Sequence, residues 1–316
     1  MRALLIALAC GLVPLQAWAD FPERAVRLVV PFPAGSGTDT VARQLGEEMA
    51  RDLKQPLVID NKGGAQGIIG VTAAVNSPAD GYTVVILGVS TGASNVGMYK
   101  KLAYDPVKDL TPIGTIADQP IMLVAAPGFA ANDAGELFKL GHSKPGKLTY
   151  GYGSGSAQVA AAKLVHMGDI KTVAVPYQGS PQALIDVMSG QVDFMFVDLA
   201  LAVPQIQGGK LKALGVTSKE RFPVIPDIKT LNESGAPGYE LNVWFALAGP
   251  AGMPAPIVAR LSSALQKALQ STALQAKYAA QGLRVKPSTP AEFGEFMKSE
   301  IANWGALIRQ AGIQPQ

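Results

Sequence analysis

Cysteine is almost absent from this 316-residue sequence, and the single one, Cys10, lies in the first apolar stretch. A chain from which that stretch is removed has no thiol, so disulfides, zinc–thiolate sites and cysteine nucleophiles are excluded together. Histidine is nearly as scarce, with only His142 and His166. Charge of one sign is lacking too. The 27 Lys and Arg face 24 Asp and Glu, a balance that gives no reason to expect nucleic acid or an acidic membrane as partner. Beyond the N-terminus there is no run of about 20 apolar residues able to span a membrane, and no evident repeat.

What is present begins with an address. Met1-Arg2 is followed by an apolar run from Ala3 to Val13 and by Ala17-Trp18-Ala19 before Asp20. A short positive end, an apolar centre and an A-x-A site in that order predict a secretory signal over residues 1–19, cleaved after Ala19. The run is too short for a comfortable membrane anchor. Only nine residues precede Cys10, so lipid attachment there is not expected. The remainder belongs to a chain with 48% hydrophobic and 16% charged residues, enough for one large or two moderate globular domains.

Short β-rich runs alternate with longer amphipathic segments, which predicts an α/β fold with largely parallel strands. Strands are expected at 25–31, 57–61 and 83–87, with helices at 38–54 and 69–76, a βαβαβ opening. A strand at 121–126 follows, and then the order begins again. Helices at 133–143, 157–167 and 181–189 alternate with strands at 148–152, 172–176, 194–197 and 213–217. The chain passes through 239–250 and ends in helices near 256–270, 273–281 and 290–311. A terminal helical block is most simply used to complete the first unit. The expectation is a first lobe of 20–125 plus 246–316 and a second of 126–245, with crossings near Ala125 and Trp244. A crevice between two such lobes is where ligands usually sit.

Three Gly-rich strand-to-helix turns are candidate jaws of that crevice. Pro31-Phe32-Pro33-Ala34-Gly35-Ser36-Gly37-Thr38-Asp39 lies in the first unit. Tyr150-Gly151-Tyr152-Gly153-Ser154-Gly155-Ser156 and Pro176-Tyr177-Gln178-Gly179-Ser180-Pro181 lie in the second, with Ser180 as a natural N-cap and Pro181 at the first helical position. Glycine lets backbone approach a guest, and a helix start offers unpaired N–H groups with partial positive charge. The bland alternative is that these residues only turn the chain and cap helices. None of the three turns carries a basic residue, so an anion would be held by neutral donors. A phosphate cradle is disfavoured by the absence of a Gly-Lys-Ser/Thr ending and of a full G-x-G-x-x-G spacing, and no cofactor or metal is expected. A fourth turn, Asn61 to Gly67, reads as loop punctuation.

Taken together and in order, several segments resemble the solute receptors of tripartite tricarboxylate transporters, the Bug or TctC-like family. They are Pro33-Ala34-Gly35-Ser36-Gly37-Thr38-Asp39 with Ala42-Arg43, Val58 to Ala65, Pro78 to Thr83, Tyr104 to Ile113, Val175 to Ser180, Gly190 to Phe196 and Gly208 to Leu214. The resemblance implies a two-lobed periplasmic-binding-protein-like fold, each lobe a mixed sheet flanked by helices. It also implies a monomeric periplasmic receptor that closes on a carboxylated solute and hands it to large and small membrane subunits. By residue it points to Phe32, Ala34, Gly35 and Ser36 in the first lobe and to Ser154, Gly155, Ser156, Tyr177 and Ser180 in the second. Asp39 fits the family's first-loop aspartate, ordering the loop more than touching an anion. Asp198 follows the Phe-Met-Phe strand where the family often has an acidic residue facing the cleft; its plain reading is a turn or cap residue. The sequence departs from the family after the third strand, where Ser90-Thr91-Gly92-Ala93-Ser94-Asn95 lacks the usual His and Pro, and after the second-lobe serine loop, where Gln158-Val159-Ala160 replaces a usual His. Ser90 and Ser94 border the expected pocket and join the candidate set, but these departures mean that no relative's ligand can be borrowed.

Two rivals remain. Gly88-Val89-Ser90-Thr91-Gly92 matches the G-x-S-x-G nucleophile-elbow spacing, but a hydrolase would need one of the two histidines beside Ser90. A ligand-sensing receptor that docks on a signalling partner would need the same crevice. The expected ligand is a small mono- or dicarboxylate, with Tyr152, Tyr177 and Trp244 offering flat walls that would also suit an aromatic acid.

Overall fold

The computed structural model describes residues 21–316, so the expected signal over 1–19 and its cleavage after Ala19 lie outside the described residues. β1 (Val26–Val30) leads into α1 (Gly37–Leu53), β2 (Leu57–Asn61), α2 (Ile68–Val75) and β3 (Thr83–Gly88). One turn of π-helix, Ser90–Ser94, passes through α3 (Asn95–Met98) to β4 (Leu110–Ala125). The second lobe is built from α4 (Ala134–Ser143), β5 (Leu148–Tyr152), α5 (Gly155–Met167), β6 (Thr172–Pro176), α6 (Ser180–Met188), β7 (Phe194–Asp198), α7 (Leu199–Gln207) and β8 (Lys212–Val216). β9 (Asn242–Pro250) returns to the first lobe, where α8 (Ala255–Gln270), α9 (Thr272–Ala280), β10 (Arg284–Val285) and α10 (Pro290–Gln310) complete the chain.

The elements follow local chemistry. In α1, Val41, Leu45, Met49 and Leu53 recur at four-residue spacing and are buried on one face, while Ser36 caps the start and Lys54 ends the helix in the left-handed region. α10 opens with a capping box in which Thr289 and Glu292 satisfy one another's backbone N–H groups, with Pro290 in its first turn.

Among the named strands, parallel pairing joins β1 with β2 and β3, and β5 with β6 and β7. β9 runs antiparallel between β3 and β4, and β4 pairs antiparallel with β7, β8 and β10. The sheets are mixed, so the expectation of largely parallel strands is corrected. β4 joins the lobes: Leu110 to Pro120 pair with β9, whereas Ile121 to Ala125 pair with β7 and β8. Its partners change between Pro120 and Ile121. Thr217 ties that junction to the returning chain, its Oγ1 donating to Leu241 O at 2.7 Å and accepting from Ile121 N at 2.9 Å.

Reading the sequence places only the end of β4, because Pro112 and Pro120 look like strand breakers. Irregularities in its register with β9, between Pro112 and Gly114 and between Thr115 and Ala117, accommodate the interruption. The sequence reading also lacks α7, which contains Pro204, and β10, and it leaves β9 as an unassigned passage.

Three apolar cores result. One, around Leu28, Ile86, Leu261 and Tyr278, lies within the first lobe, and one, around Met122, Met195 and Leu199, within the second. The largest joins both, running from Val85 and Trp304 through Trp244 to Tyr150 and Phe194. α10 packs on the π-turn, α3 and β4 and also touches α5 of the second lobe. The two lobes thus share a continuous packed layer on this side.

Candidate functional site

In the first lobe the chain leaves β1 and turns through Gly35, whose φ of +79° suits glycine. Ser36 Oγ accepts from Asp39 N at 3.2 Å. Asp39 is buried, and its carboxylate accepts from Gly35 N at 2.9 Å, Arg43 Nε at 2.9 Å and Asn61 Nδ2 at 2.8 Å. Burial pushes this carboxyl up, but those bonds outweigh burial and hold it below the usual carboxylate range. Asn61 also donates to Phe32 O at 3.1 Å. Asp39 thus ties Gly35, Arg43 and Asn61 together within the loop. The first-turn N–H groups of Gly37 and Thr38 have no acceptor within α1.

The π-turn after β3 supplies the adjoining wall. Thr91 Oγ1 bonds back to Gly88, and the buried Tyr104 hydroxyl donates to Thr91 O at 2.7 Å. Such turns recur at functional sites because their widened bonding re-aims side chains. Here it directs Ser90 at the second lobe: Ser90 Oγ accepts from Ser156 N at 3.0 Å and donates to Ser156 Oγ at 3.3 Å.

In the second lobe Ser154 caps α5, accepting from Ala157 N at 3.3 Å, with Ser156 Oγ 3.2 Å away. α6 begins at Ser180 itself, with Gly179 as its cap residue, which corrects the expected N-cap role of Ser180. Asp198 ends β7. One carboxylate oxygen accepts from Gln119 Nε2 at 2.8 Å, and the other faces Gly37, where an added Cβ would fall on it. Burial pushes its carboxyl up to about 6, only partly opposed by the Gln119 bond. No side-chain cap of α7 involves Asp198.

These groups meet between the lobes in a cavity of about 40 Å³ lined by Phe32, Ser36, Ser90, Ser154, Ser156, Ser180 and Asp198 together with Thr38, Val89, Val243, Trp244 and Phe245. That volume holds a few waters at most, so the lobes must part to admit a solute. A larger groove of about 530 Å³ lies at the hinge beside Glu300, Phe296 and Trp304, but hydroxyls from both lobes converge on the smaller one.

Other candidates lie beside the cavity, outside its lining. Ala34 and Gly35 are on the outer part of their loop. Tyr177 turns towards α6, its hydroxyl donating to Asp186 at 2.6 Å; burial and that bond push the phenol up to about 12. Tyr152 is buried but is not part of the lining, whereas Trp244 is. Ser94 and Gly155 form a lobe-to-lobe contact. A Cβ at Gly155 would meet Ser94 Oγ at 2.8 Å, Asn95 Oδ1 at 2.9 Å and Gln66 Oε1 at 2.9 Å. Nearby, Gln66 Nε2 donates to Gln158 Oε1 at 2.9 Å across the cleft. Ala65 and Gln66 both have positive φ, 47° and 53°, strain carried where the lobes touch. The turn read as punctuation thus bridges the lobes, and its Gly-Gly-Ala-Gln-Gly composition is the signal that could have raised it. Gln119, 1% exposed, was also missed; its only signal is a polar residue among the apolar positions of a strand. His142 and His166 are exposed at the ends of α4 and α5, neither in the lining that contains Ser90.

Residues 41–313 match the family described as the tripartite tricarboxylate transporter family receptor. The chain belongs to that family. Among solved structures of this TctC and Bug group, the periplasmic binding protein BugD is 33% identical, with a TM-score of 0.90 over 94% of this chain and 100% of BugD. Rpa4515 of R. palustris, solved with adipate, is 32% identical, with a TM-score of 0.91 over 94% of this chain and 100% of its own. MatC from Rhodopseudomonas palustris, solved with bound malate, is 33% identical, with a TM-score of 0.87 over 91% of this chain and 100% of its own. This TctC-family chain is accordingly a solute-binding receptor with the two-lobed periplasmic-binding-protein fold.

Proposed function

We propose that this receptor is exported, captures a small mono- or dicarboxylate, aliphatic or aromatic, between its lobes, and delivers it to the large and small membrane subunits of a tripartite tricarboxylate transporter. The observation that carries the reading is the convergence of Ser90, Ser154, Ser156, Ser180 and the start of α1 on one interlobe cavity whose lining has no basic side chain. A helix start is worth about 0.3–1 kcal/mol to a nearby charge, and up to about 2 when partly buried. Several such donors suffice for a carboxylate. The relatives solved with adipate and malate support this class of ligand.

The same proposal includes a monomer in the periplasm, cleaved after Ala19, with lobes of 20–125 plus 246–316 and 126–245. The change of β4 partners after Pro120 and the return of β9 at Asn242 support two crossings close to those bounds. Thermal shift of the mature chain against a panel of aliphatic and aromatic carboxylates tests the ligand class. A ligand at 100 times its Kd adds about 2.7 kcal/mol. Shifts with neutral sugars or simple amines but with no acid would refute the reading.

A further inference from the structure

Among the described residues, Asp198 is the only charged side chain in the lining of the interlobe cavity. Thr38 and the five serines of the lining are neutral donors. The nearby Asp39 is already matched by Arg43 within its own loop. Of the elements packed against Asp198, β4 offers the Gln119 amide and α1 offers Gly37 at its first turn; neither brings a cation. Gln119 Oε1, on that same amide, is buried without a hydrogen-bond partner. One acidic acceptor therefore stands on the cavity wall, and the other polar side chains of the lining are hydroxyls. A ligand carboxylate set directly against Asp198 would bring like charges together with no cation in the lining, which a water-poor site resists.

We propose that Asp198 selects a zwitterion, a small amino-carboxylate whose ammonium group sits against Asp198 and whose carboxylate takes the hydroxyl and backbone donors of Ser90, Ser154 and Ser156. This rests on the reading that the interlobe cavity is the ligand site. An ammonium group supplies three donors and sets a counter-charge against Asp198, so that only the ligand carboxylate is left for the hydroxyl donors. Asp198 is then a specificity residue: it distinguishes an amino acid from the same acid without its amine.

Titration calorimetry on the mature chain at pH 7.5 tests this with matched pairs: alanine and propionate, aspartate and succinate, phenylalanine and 3-phenylpropionate. In at least one pair the amino member binds more tightly than its partner by about tenfold or more. In Asp198→Asn that preference is lost, a fall of about tenfold or more, because the ammonium loses its counter-charge, while the deaminated acid binds as well or better. The wild-type chain supplies a second readout if the variant does not fold. Between pH 7.5 and 5.5 alanine keeps its own charges while Asp198 takes up a proton, so affinity for the bound amino acid falls and affinity for the deaminated acid does not. Equal or tighter binding of the deaminated acids by the wild-type chain overturns the zwitterion and leaves the carboxylate receptor standing. Binding of none of the six acids overturns both. Unchanged amino-acid preference in Asp198→Asn overturns the role of this residue alone.

Discussion

Two aspartates flank the interlobe cleft, Asp39 from the first lobe and Asp198 from the second, and their surroundings are opposite. Asp39 receives hydrogen bonds from a backbone amide, a guanidinium and an amide side chain, and its carboxyl is held low. Asp198 has one amide donor and a helix start, and its carboxyl is pushed up to about 6. A carboxylate with a full set of partners builds a loop; one kept short of partners at the floor of a cleft is ready for a solute. Asp39 is thus committed to its own loop, whereas Asp198 is the group proposed to select the ligand.

The comparison breaks most visibly at Asp39. Asp39→Ala leaves Gly35 N without its acceptor and Asn61 and Arg43 without theirs, and costs about 3 kcal/mol in urea melts at pH 7. Because the folded value lies below the ordinary one, the contribution of Asp39 is complete above about pH 4 and is lost as pH falls through the folded value. A loss under about 1 kcal/mol would mean that the loop is held by its backbone alone.

Asp198→Asn has the opposite sign. The folded chain keeps a proton on Asp198 up to about pH 6 that the unfolded chain releases near 4, so this residue lowers stability as pH rises through that window. Removing the charge stabilises the ligand-free chain at pH 7.5 by about 1–3 kcal/mol and flattens its pH dependence between about 4 and 6. Thermal melts across that range would refute the assignment if wild type and variant ran parallel.

The two aspartates also mark how far the sequence could be read. Asp39 was legible because its partners are local: Gly35 and Arg43 each lie four positions away, within a recognisable strand-to-helix turn. Asp198 was legible only as an acidic residue after an apolar strand. Its environment depends on Gln119 and Gly37, far away in the chain and brought together by β4 and by lobe closure. The same division holds for the fold. Capped, periodic helices such as α1 and α10 were read to within a residue or two, whereas β4 was hidden by prolines that its irregular register accommodates. Ser94 and Gly155 illustrate the limit at the site. Glycine and serine in a helix-start loop look like ligand donors, and only packing reveals a contact between lobes.

Gly155 sharpens the comparison at smaller scale. It is the first residue of α5 with no positive φ, so alanine there suits the helix. The three atoms nearest an added methyl all belong to the first lobe, on Ser94, Asn95 and Gln66. Gly155→Ala therefore leaves stability within about 0.5 kcal/mol but weakens the preferred acid about tenfold by opposing closure. Gly153→Ala is the contrast, since its methyl would strike the Gly179–Ser180 backbone of its own lobe and destabilise the fold. Calorimetry beside urea melts separates the two, and equal losses of stability would refute a lobe-to-lobe role for Gly155.

The smallest effect belongs to Gln66, where backbone strain and a cross-cleft bond coincide. Gln66→Gly removes the bond to Gln158 and relaxes a φ of 53° that glycine adopts readily. Gln158→Ala removes the same bond and leaves the strain. If the strain is real, the glycine variant is the more stable of the two by about 0.5–1 kcal/mol, although both weaken ligand by the same few-fold factor. The bond exists only when the lobes meet, so it shifts closure, whereas the strained turn belongs to the first lobe in every state. A stability difference without an affinity difference would separate jaw from latch at a single residue, and the reverse pattern would show that this turn is remodelled when the cleft opens.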